Sequence, residues 1–435
     1  MSTTEGEPLH CTITDQGDGI RCFGKTDEGE AVFVEGKTVP GDQVLAAVTT
    51  RHHKYLVAKL LEITEPSSDR IPAPCPHFET CGGCKWQQLP YELEGRLKHK
   101  QVADAIQHIG HLEGVEVLPL VPADDLYGYR NKLSFSCRDH ALGYHLPGDG
   151  EAVMPISHCA LGTDATNRVL EVFRDHTSLF HRLTLRQASV DQRILIQVDS
   201  DLPASGIRLP DFAEVLPPPA YSLRWNDEVV YGEPNLEETL DGHAFTLSPD
   251  TFFQVNQRQA EKLLKVIIDF ANLKADEDVW ECYSGVGAFS LSLARRCQRL
   301  TGFEYSEEAV RLARVNAKAN RIDNTRFAAR DLDAVRLDRM EKDAGYRPKV
   351  MIVDPPRTGL TNHLVNIIAK LQPQRMVYVS CKPATFARDA ERLAEIAGLK
   401  CMQIQPVDLF PRTGHVECVG RFVRKEEPPV HVKSA

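Results

Sequence analysis

The sequence predicts an α/β protein. Its C-terminal part, residues 251–435, reads as an open, mostly parallel sheet with helices on both faces, and two β-rich units precede it. Three observations predict this. From about residue 256, short apolar runs alternate with segments of helical period. Residues 10 to 65 consist instead of short β segments cut by glycines. Finally, WECYSGVGAFSL, 280–291, sets a G-x-G turn between a predicted strand and a predicted helix.

At 435 residues the chain exceeds one average domain, and its breaks divide it into 1–66, 67–250 and 251–435. A formal net charge of -10 argues against a general nucleic-acid binder, whose footprint is usually basic. It leaves room for an enzyme with a local basic groove, because net charge does not fix charge distribution. The start, MSTTEGEPLH, has neither a basic n-region nor an apolar h-region, and no apolar run approaches the roughly 18 residues of a membrane span. A cytoplasmic chain with no membrane association and no evident obligate protein partner is expected. In that compartment, twelve cysteines point to ligands, nucleophiles or core residues rather than to disulfides.

Taken in order, HCTITDQGDGIRCFG, EAVFVEG, VPGDQVLAAVTT and KYLVAKLLEI suggest a small barrel with Gly and Asp-Gly turns. EPSSDRIPAPCPHFE, rich in Pro and Ser, marks a boundary. YELEGRLKHKQVADAIQHIG, 91–110, spaces Leu93, Leu97, Val102 and Ile106 near a 3.6 period and predicts a helix. KLSFSC, RILIQV and EVVYG, with LPPPAY between the last two, predict a second β-rich unit. The α/β part then begins with AEKLLKVIIDFANL as a helix and DVWECYSG as a strand and turn. The last apolar run, HVECVGRFVR, follows the preceding strand after a short link and is expected to pair antiparallel.

Glycines at 285 and 287 let backbone approach a ligand, and a helix N-terminus beyond them offers free N–H groups. Glu304 ends the next strand, where an acidic residue accepts hydrogen bonds from ribose hydroxyls. Asp331 after RFAAR and Asp354 in VDPPRTG stand at later strand ends, beside the same crevice. No lysine follows the glycines, which excludes a P-loop, and a third glycine of the dinucleotide fingerprint is missing. With its final antiparallel strand and Asp-Pro-Pro after the fourth strand, this part resembles the class I (Rossmann-like) S-adenosylmethionine methyltransferases.

Cys381, in VSCKPATFARD, falls where a strand stops and a loop begins. On frequency alone it reads as a buried core residue. A methyl donor in the pocket gives it another task. Carbon 5 of uracil is too weak a nucleophile to take a methyl group directly, but a thiolate added at C6 makes it enolate-like. A base must then remove the C5 proton so that the thiol can leave. Glu417, in FPRTGHVECVG at the start of the last strand, is the candidate base.

Together VSCKPATFARD, DPPRTG, FPRTGHVE and FFQVN resemble the RNA 5-methyluridine (uracil-C5) methyltransferases, over essentially the whole chain. The resemblance implies Cys381 as nucleophile, Glu417 as proton acceptor, and Gln254, Tyr283, Glu304 and Asp354 as donor-binding residues. Lys382 is a candidate for an RNA phosphate, and Phe252 or Phe253 for stacking on an extruded base. The rival readings are a methyltransferase of the same fold using direct attack on an amine or another base, for which Cys381 would be dispensable, and a non-catalytic RNA-binding protein on this scaffold.

CPHFETCGGCKW brings Cys75, Cys81 and Cys84 within ten residues, beside Gly-Gly and Pro, which predicts a metal site with a fourth ligand elsewhere. Tetrahedral zinc and an iron–sulfur cluster both accept four thiolates. Resemblance to the 23S ribosomal RNA members of the family implies a [4Fe-4S] cluster and Cys159 of PISHCAL as the fourth ligand, with Cys137 the competitor. It also implies that residues 1–66 are a TRAM (OB-like) RNA-binding barrel. The expected activity is methylation of C5 of a uridine in ribosomal RNA, with transfer RNA as the alternative substrate.

Overall fold

A computed structural model describes residues 6, 8–17, 21–146, 150–206 and 221–424. Residues 18–20 of the Asp-Gly turn and most of the LPPPAY break lie outside the described residues. The chain divides into two compact units. One comprises the described residues up to Gln101, Pro122–Pro234 and Phe410–His415, and the other comprises Val102–Val121, Asn235–Leu409 and the chain from Val416 on.

In the first unit, β1 (Pro8–Gln16), β2 (Arg21–Thr26), β3 (Ala31–Glu35), β4 (Gln43–Arg51) and β5 (Leu56–Glu65) close into a barrel of order β1-β2-β3-β5-β4. The residues alternate as the pleat requires, so Val32 and Val34 point inward with Cys11, Ile13, Val44, Ala46 and Ala58. Closure leaves no free strand edge. This is the small barrel the glycine-cut segments predict.

Helix α1 (Tyr91–His108) follows and is shared between the units, and β6 (Glu116–Val117) belongs to the second. The first unit continues with β7 (Lys132–Arg138), β8 (Ala141–His145), β9 (Val153–Pro155), α2 (Asp164–Phe173), β10 (Arg182–Gln187), β11 (Ile194–Asp199), β12 (Tyr221–Trp225) and β13 (Glu228–Tyr231). These strands form one seven-stranded sheet, β13-β12-β11-β10-β7-β8-β9, antiparallel except between β11 and β12. Helix α2 covers one face, with Val169, Leu170 and Phe173 packed on Phe135, Leu183, Leu185 and Ile196.

The second unit opens with a hairpin, β14 (Leu236–Leu240) and β15 (His243–Leu247), and α3 (Gln257–Ala271). Asn256 caps α3 by accepting from the Gln259 N–H. Then follow β16 (Asp278–Cys282), α4 (Ser290–Ala294), β17 (Arg299–Glu304), α5 (Glu307–Ala319), β18 (Thr325–Ala329), α6 (Leu337–Ala344), β19 (Val350–Val353), α7 (Asn362–Leu371), β20 (Arg375–Ser380), α8 (Pro383–Ile396), β21 (Leu399–Val407) and β22 (Glu417–Arg424). The eight-stranded sheet runs β18-β17-β16-β19-β20-β22-β21-β6.

β16 to β20 are mutually parallel, while β22 runs antiparallel to both neighbours, as its short link predicts. A parallel strand covered on both faces needs apolar residues throughout, and all four residues of β19, VMIV, are buried. Phe386 of α8 is fully buried between Tyr378 and Phe422, with ring centroids 5.1 and 6.0 Å away. Gly420 makes room for it, because a Cβ there would lie 2.3 Å from the Phe386 ring.

Candidate active site

Pairing across the sheet, rather than chain proximity, builds the site. β20 and β22 are in register with Val379 opposite Val419 and Ser380 opposite Cys418. One step further along both chains places Cys381 directly opposite Glu417. Residues so paired share a face of the sheet, with Cβ atoms about 4.5–5.5 Å apart. Cys381 is half-buried and Glu417 is 6% exposed.

Burial and then the nearby carboxylate of Glu417 push the Cys381 thiol upward. Arg357 opposes them by hydrogen-bonding the thiol and by its charge. Burial, reinforced by Asp354, raises the Glu417 carboxyl to about 8, again with Arg357 opposing. In the free protein near neutrality, the base candidate is therefore largely protonated.

Below this pair the carboxyl ends of three adjacent parallel strands converge. Glu281 is fully buried in β16 and accepts from Ser290 Oγ. Its carboxyl is raised to about 8 by burial, then by Asp354 and Glu304. Asp354 follows β19 and is raised to about 7 by burial. Glu304 ends β17, where its carboxylate accepts from the Gly285 N–H at 3.0 Å and the Ser306 N–H at 2.9 Å. Glu304 and Asp354, held at one crevice, favour a cationic guest.

The loop after β16 is shaped for close approach. Tyr283 takes φ +66°, a left-handed conformation that residues with a Cβ rarely adopt, and Gly285 follows at φ +55°. A Cβ on Gly285 would meet nothing within 4 Å, so open space lies over this turn. Gly287, φ +85°, closes it by donating to Ser284 O at 2.9 Å. Asp331 is exposed and accepts from the Asp333 N–H. Gln254 is buried in the loop ahead of α3. Of the two phenylalanines beside it, Phe253 is core, packed on Phe245 at 5.4 Å, and Phe252 is 69% exposed. Lys382 is exposed.

Sequence reasoning missed Glu281 and Arg357. The signals were present: an acid one residue from a strand end in WEC, and the arginine of DPPRTG.

The first unit gathers the predicted metal ligands. The Cys84 thiol is raised to about 12, mainly by burial, and then by Cys159, Cys81 and Cys75; a hydrogen bond from Gln87 opposes. Cys81 accepts from the Gly83 N–H, and Tyr144 donates its hydroxyl to Cys159 Sγ at 3.7 Å. Lys37 reaches the Cys81 carbonyl at 2.6 Å. The Cys137 thiol donates to Thr177 O at 3.2 Å. Among the described residues, no three His, Cys, Asp or Glu side chains are placed to share a single metal ion.

The FPRTGHVE motif divides between the units. Phe410–His415 belongs to the first, where Arg412 donates to Leu89 O at 2.8 Å and to the buried Glu94, itself paired with Lys98 at 2.8 Å. Lys85 and Trp86, next to Cys84, donate their N–H groups to Arg412 O. Glu417 opens β22 of the second unit.

Fold and site define a methyltransferase-type α/β domain whose chain begins with an RNA-binding type of barrel. Comparison with known proteins gives the family. Residues 228–426 match the family model tRNA (Uracil-5-)-methyltransferase, and residues 2–61 match the TRAM domain. A protein of Chlorobaculum tepidum described as an uncharacterized RNA methyltransferase is 34% identical, covering 97% of each chain. Another so described, from Porphyromonas gingivalis, is 31% identical over 89% of this chain and 94% of its own. The crystal structure of Pyrococcus abyssi tRNA (uracil-54, C5)-methyltransferase in complex with S-adenosyl-L-homocysteine superposes with a TM-score of 0.74. It is 24% identical and covers 95% of this chain and all of its own, a likeness of fold. The chain belongs to the RNA (uracil-5-)methyltransferase family and is an RNA methyltransferase with an N-terminal TRAM barrel.

Proposed function

We propose that this enzyme methylates C5 of a uridine in RNA, with Cys381 as nucleophile, Glu417 as base and S-adenosylmethionine as donor. The observation that carries the reading is the register of β20 and β22, which sets a thiol opposite a carboxyl above a cluster of acids. S-adenosylmethionine supplies an electrophilic methyl group on a cationic sulfonium. Glu304 and Asp354 favour that charge, and the open turn at Gly285 accepts the nucleoside end.

In the reaction, the Cys381 thiolate adds to C6 of a uracil turned out of its stack. The C5–C6 electron pair shifts toward C5 and O4, and C5 bonds the methyl carbon as its bond to sulfur breaks. Glu417 takes the C5 proton, the C5–C6 double bond re-forms, and the thiolate leaves. We assign the exposed Phe252 to stacking on a base and the exposed Lys382 to a phosphate.

The residues of the first unit fit a [4Fe-4S] cluster on Cys75, Cys81, Cys84 and Cys159. Cys81 and Cys84 are buried and Cys75 and Cys159 half-buried, the thiols act on one another, and four thiolates are the ligand set such a cluster takes. Donors aimed at sulfur, from Gly83 and Tyr144, favour thiolates. When bound, such a cluster cross-links the loop after the barrel to the segment before α2, a contribution to folding stability.

Ribosomal RNA is the substrate we favour, on the cysteine spacing, and the cytoplasm the location. Transfer RNA is the second reading, favoured by the family model's description. The test is nucleoside mass spectrometry after incubation of anaerobically prepared protein with labelled S-adenosylmethionine and separate unmodified 23S ribosomal and transfer RNA. Labelled 5-methyluridine in the ribosomal pool alone is the expected result. Label in transfer RNA alone transfers the assignment there, and no label in either refutes the reaction.

A further inference from the structure

A cation not assigned by any motif reading touches the nucleophile. Arg357 lies in the PRTG turn after Asp354, and its guanidinium hydrogen-bonds Cys381 while its charge also acts on Glu417. We propose that Arg357 is a further catalytic residue, which holds Cys381 as the thiolate that adds to C6 and stabilises it again as the leaving group. The proposal rests on the reading of Cys381 as nucleophile and deepens it.

The turn that carries Arg357 is fixed to the helix that follows the cysteine. Thr385 Oγ1 donates to Arg357 O at 3.2 Å, and Arg388 Nη2 to Thr358 O at 2.8 Å. Leu360 N–H donates to Asp389 Oδ2 at 2.8 Å, and the same carboxylate, fully buried, accepts from Tyr378 at 2.9 Å. Gly359, φ +79°, closes the turn where any Cβ would lie 2.2 Å from Asp389. Thr385, Arg388 and Asp389 belong to α8, which starts two residues after Cys381. Nucleophile and guanidinium are therefore mounted on one support.

The chemistry needs such a cation. Asp354, and Glu417 once it is ionised as the base, place negative charge near the thiol. Each disfavours a thiolate, as does burial. Arg357 is the cation that acts on the thiol from this surrounding. Its side chain is exposed, so removal leaves no buried cavity.

The test compares wild type with Arg357→Gln and Arg357→Lys in the full-length protein without RNA. Iodoacetamide alkylation of Cys381 is followed across pH 6 to 10 by mass spectrometry of the tryptic peptide that contains it. Arg357→Gln is expected to move the alkylation profile to higher pH and slow the reaction about tenfold at neutral pH, with Arg357→Lys between the two. An unmoved profile with a raised KM for RNA would make Arg357 a phosphate contact and overturn the proposal. Retained S-adenosylmethionine binding shows that the variants fold. Wild-type protein incubated with 5-fluorouridine RNA provides the separate control: failure to form a covalent adduct there removes the nucleophile itself, whatever Arg357 does.

Discussion

The raised Glu417 carboxyl gives the reaction a characteristic pH dependence. Turnover needs two ionised groups, Cys381 to add at C6 and Glu417 to take the C5 proton. Trapping by 5-fluorouridine RNA needs only the first, because fluorine occupies C5 and no proton is there to remove. The ratio of turnover to trapping therefore reports Glu417 alone. With its carboxyl raised to about 8, the ionised fraction is about one in a hundred at pH 6 and about one in ten at pH 7. Because Glu417 acts after methyl transfer, its ionisation enters kcat, so the ratio of kcat for 5-methyluridine release to the rate of adduct formation should rise about tenfold per unit between pH 6 and 7 and level off above 8. The assay measures methyl transfer to uridine RNA and adduct formation on the fluorinated RNA in parallel buffers. Glu417→Gln should form adduct and release no 5-methyluridine. A ratio that stays constant from pH 6 to 9 would falsify the assignment of Glu417 as base.

Other outcomes follow from the same structure. Glu281, raised to about 8, keeps its proton in the folded protein and loses it near 4.5 when unfolded. Its contribution is full below 4.5 and is lost as pH rises through 8, so Glu281→Gln should flatten the fall in melting temperature between pH 5 and 8. An unchanged slope refutes the buried acid as its source. Cys81→Ser should abolish the iron bound by anaerobically purified protein, about four per chain in wild type, while Cys137→Ser keeps it; zinc in the wild type would refute the cluster. Phe386→Ala removes a fully buried ring between Tyr378 and Phe422 and should cost roughly 3–5 kcal/mol in urea unfolding of the second unit. A loss below about 1 kcal/mol would mean that the site collapses around the missing ring.

The sequence by itself determined the order of elements in the α/β part, because helix and strand periods are local properties of a few adjacent residues. It determined the barrel, through glycine-cut strands, and the antiparallel last strand, through a link too short for a crossover. It also supplied Cys381 and Glu417 as candidates, since each stands inside a short motif at a predicted strand end. What it left open is what depends on partners far along the chain. Strand alternation in residues 132–231 says which faces are apolar, but not that β11 and β12 pair in parallel or that β7 lies next to β10. Phe252 and Phe253 are adjacent and chemically identical, and only packing on Phe245 separates the core ring from the exposed one. Glu281 reads as an ordinary strand residue until the neighbouring strands bring Glu304 and Asp354 beside it. Arg357 acquires its place at the thiol because a turn after one strand is bonded to the helix after the next. Only the tertiary structure decided that Cys381 faces Glu417, because a shift of one residue in the register of β20 and β22 would turn the two side chains to opposite faces of the sheet.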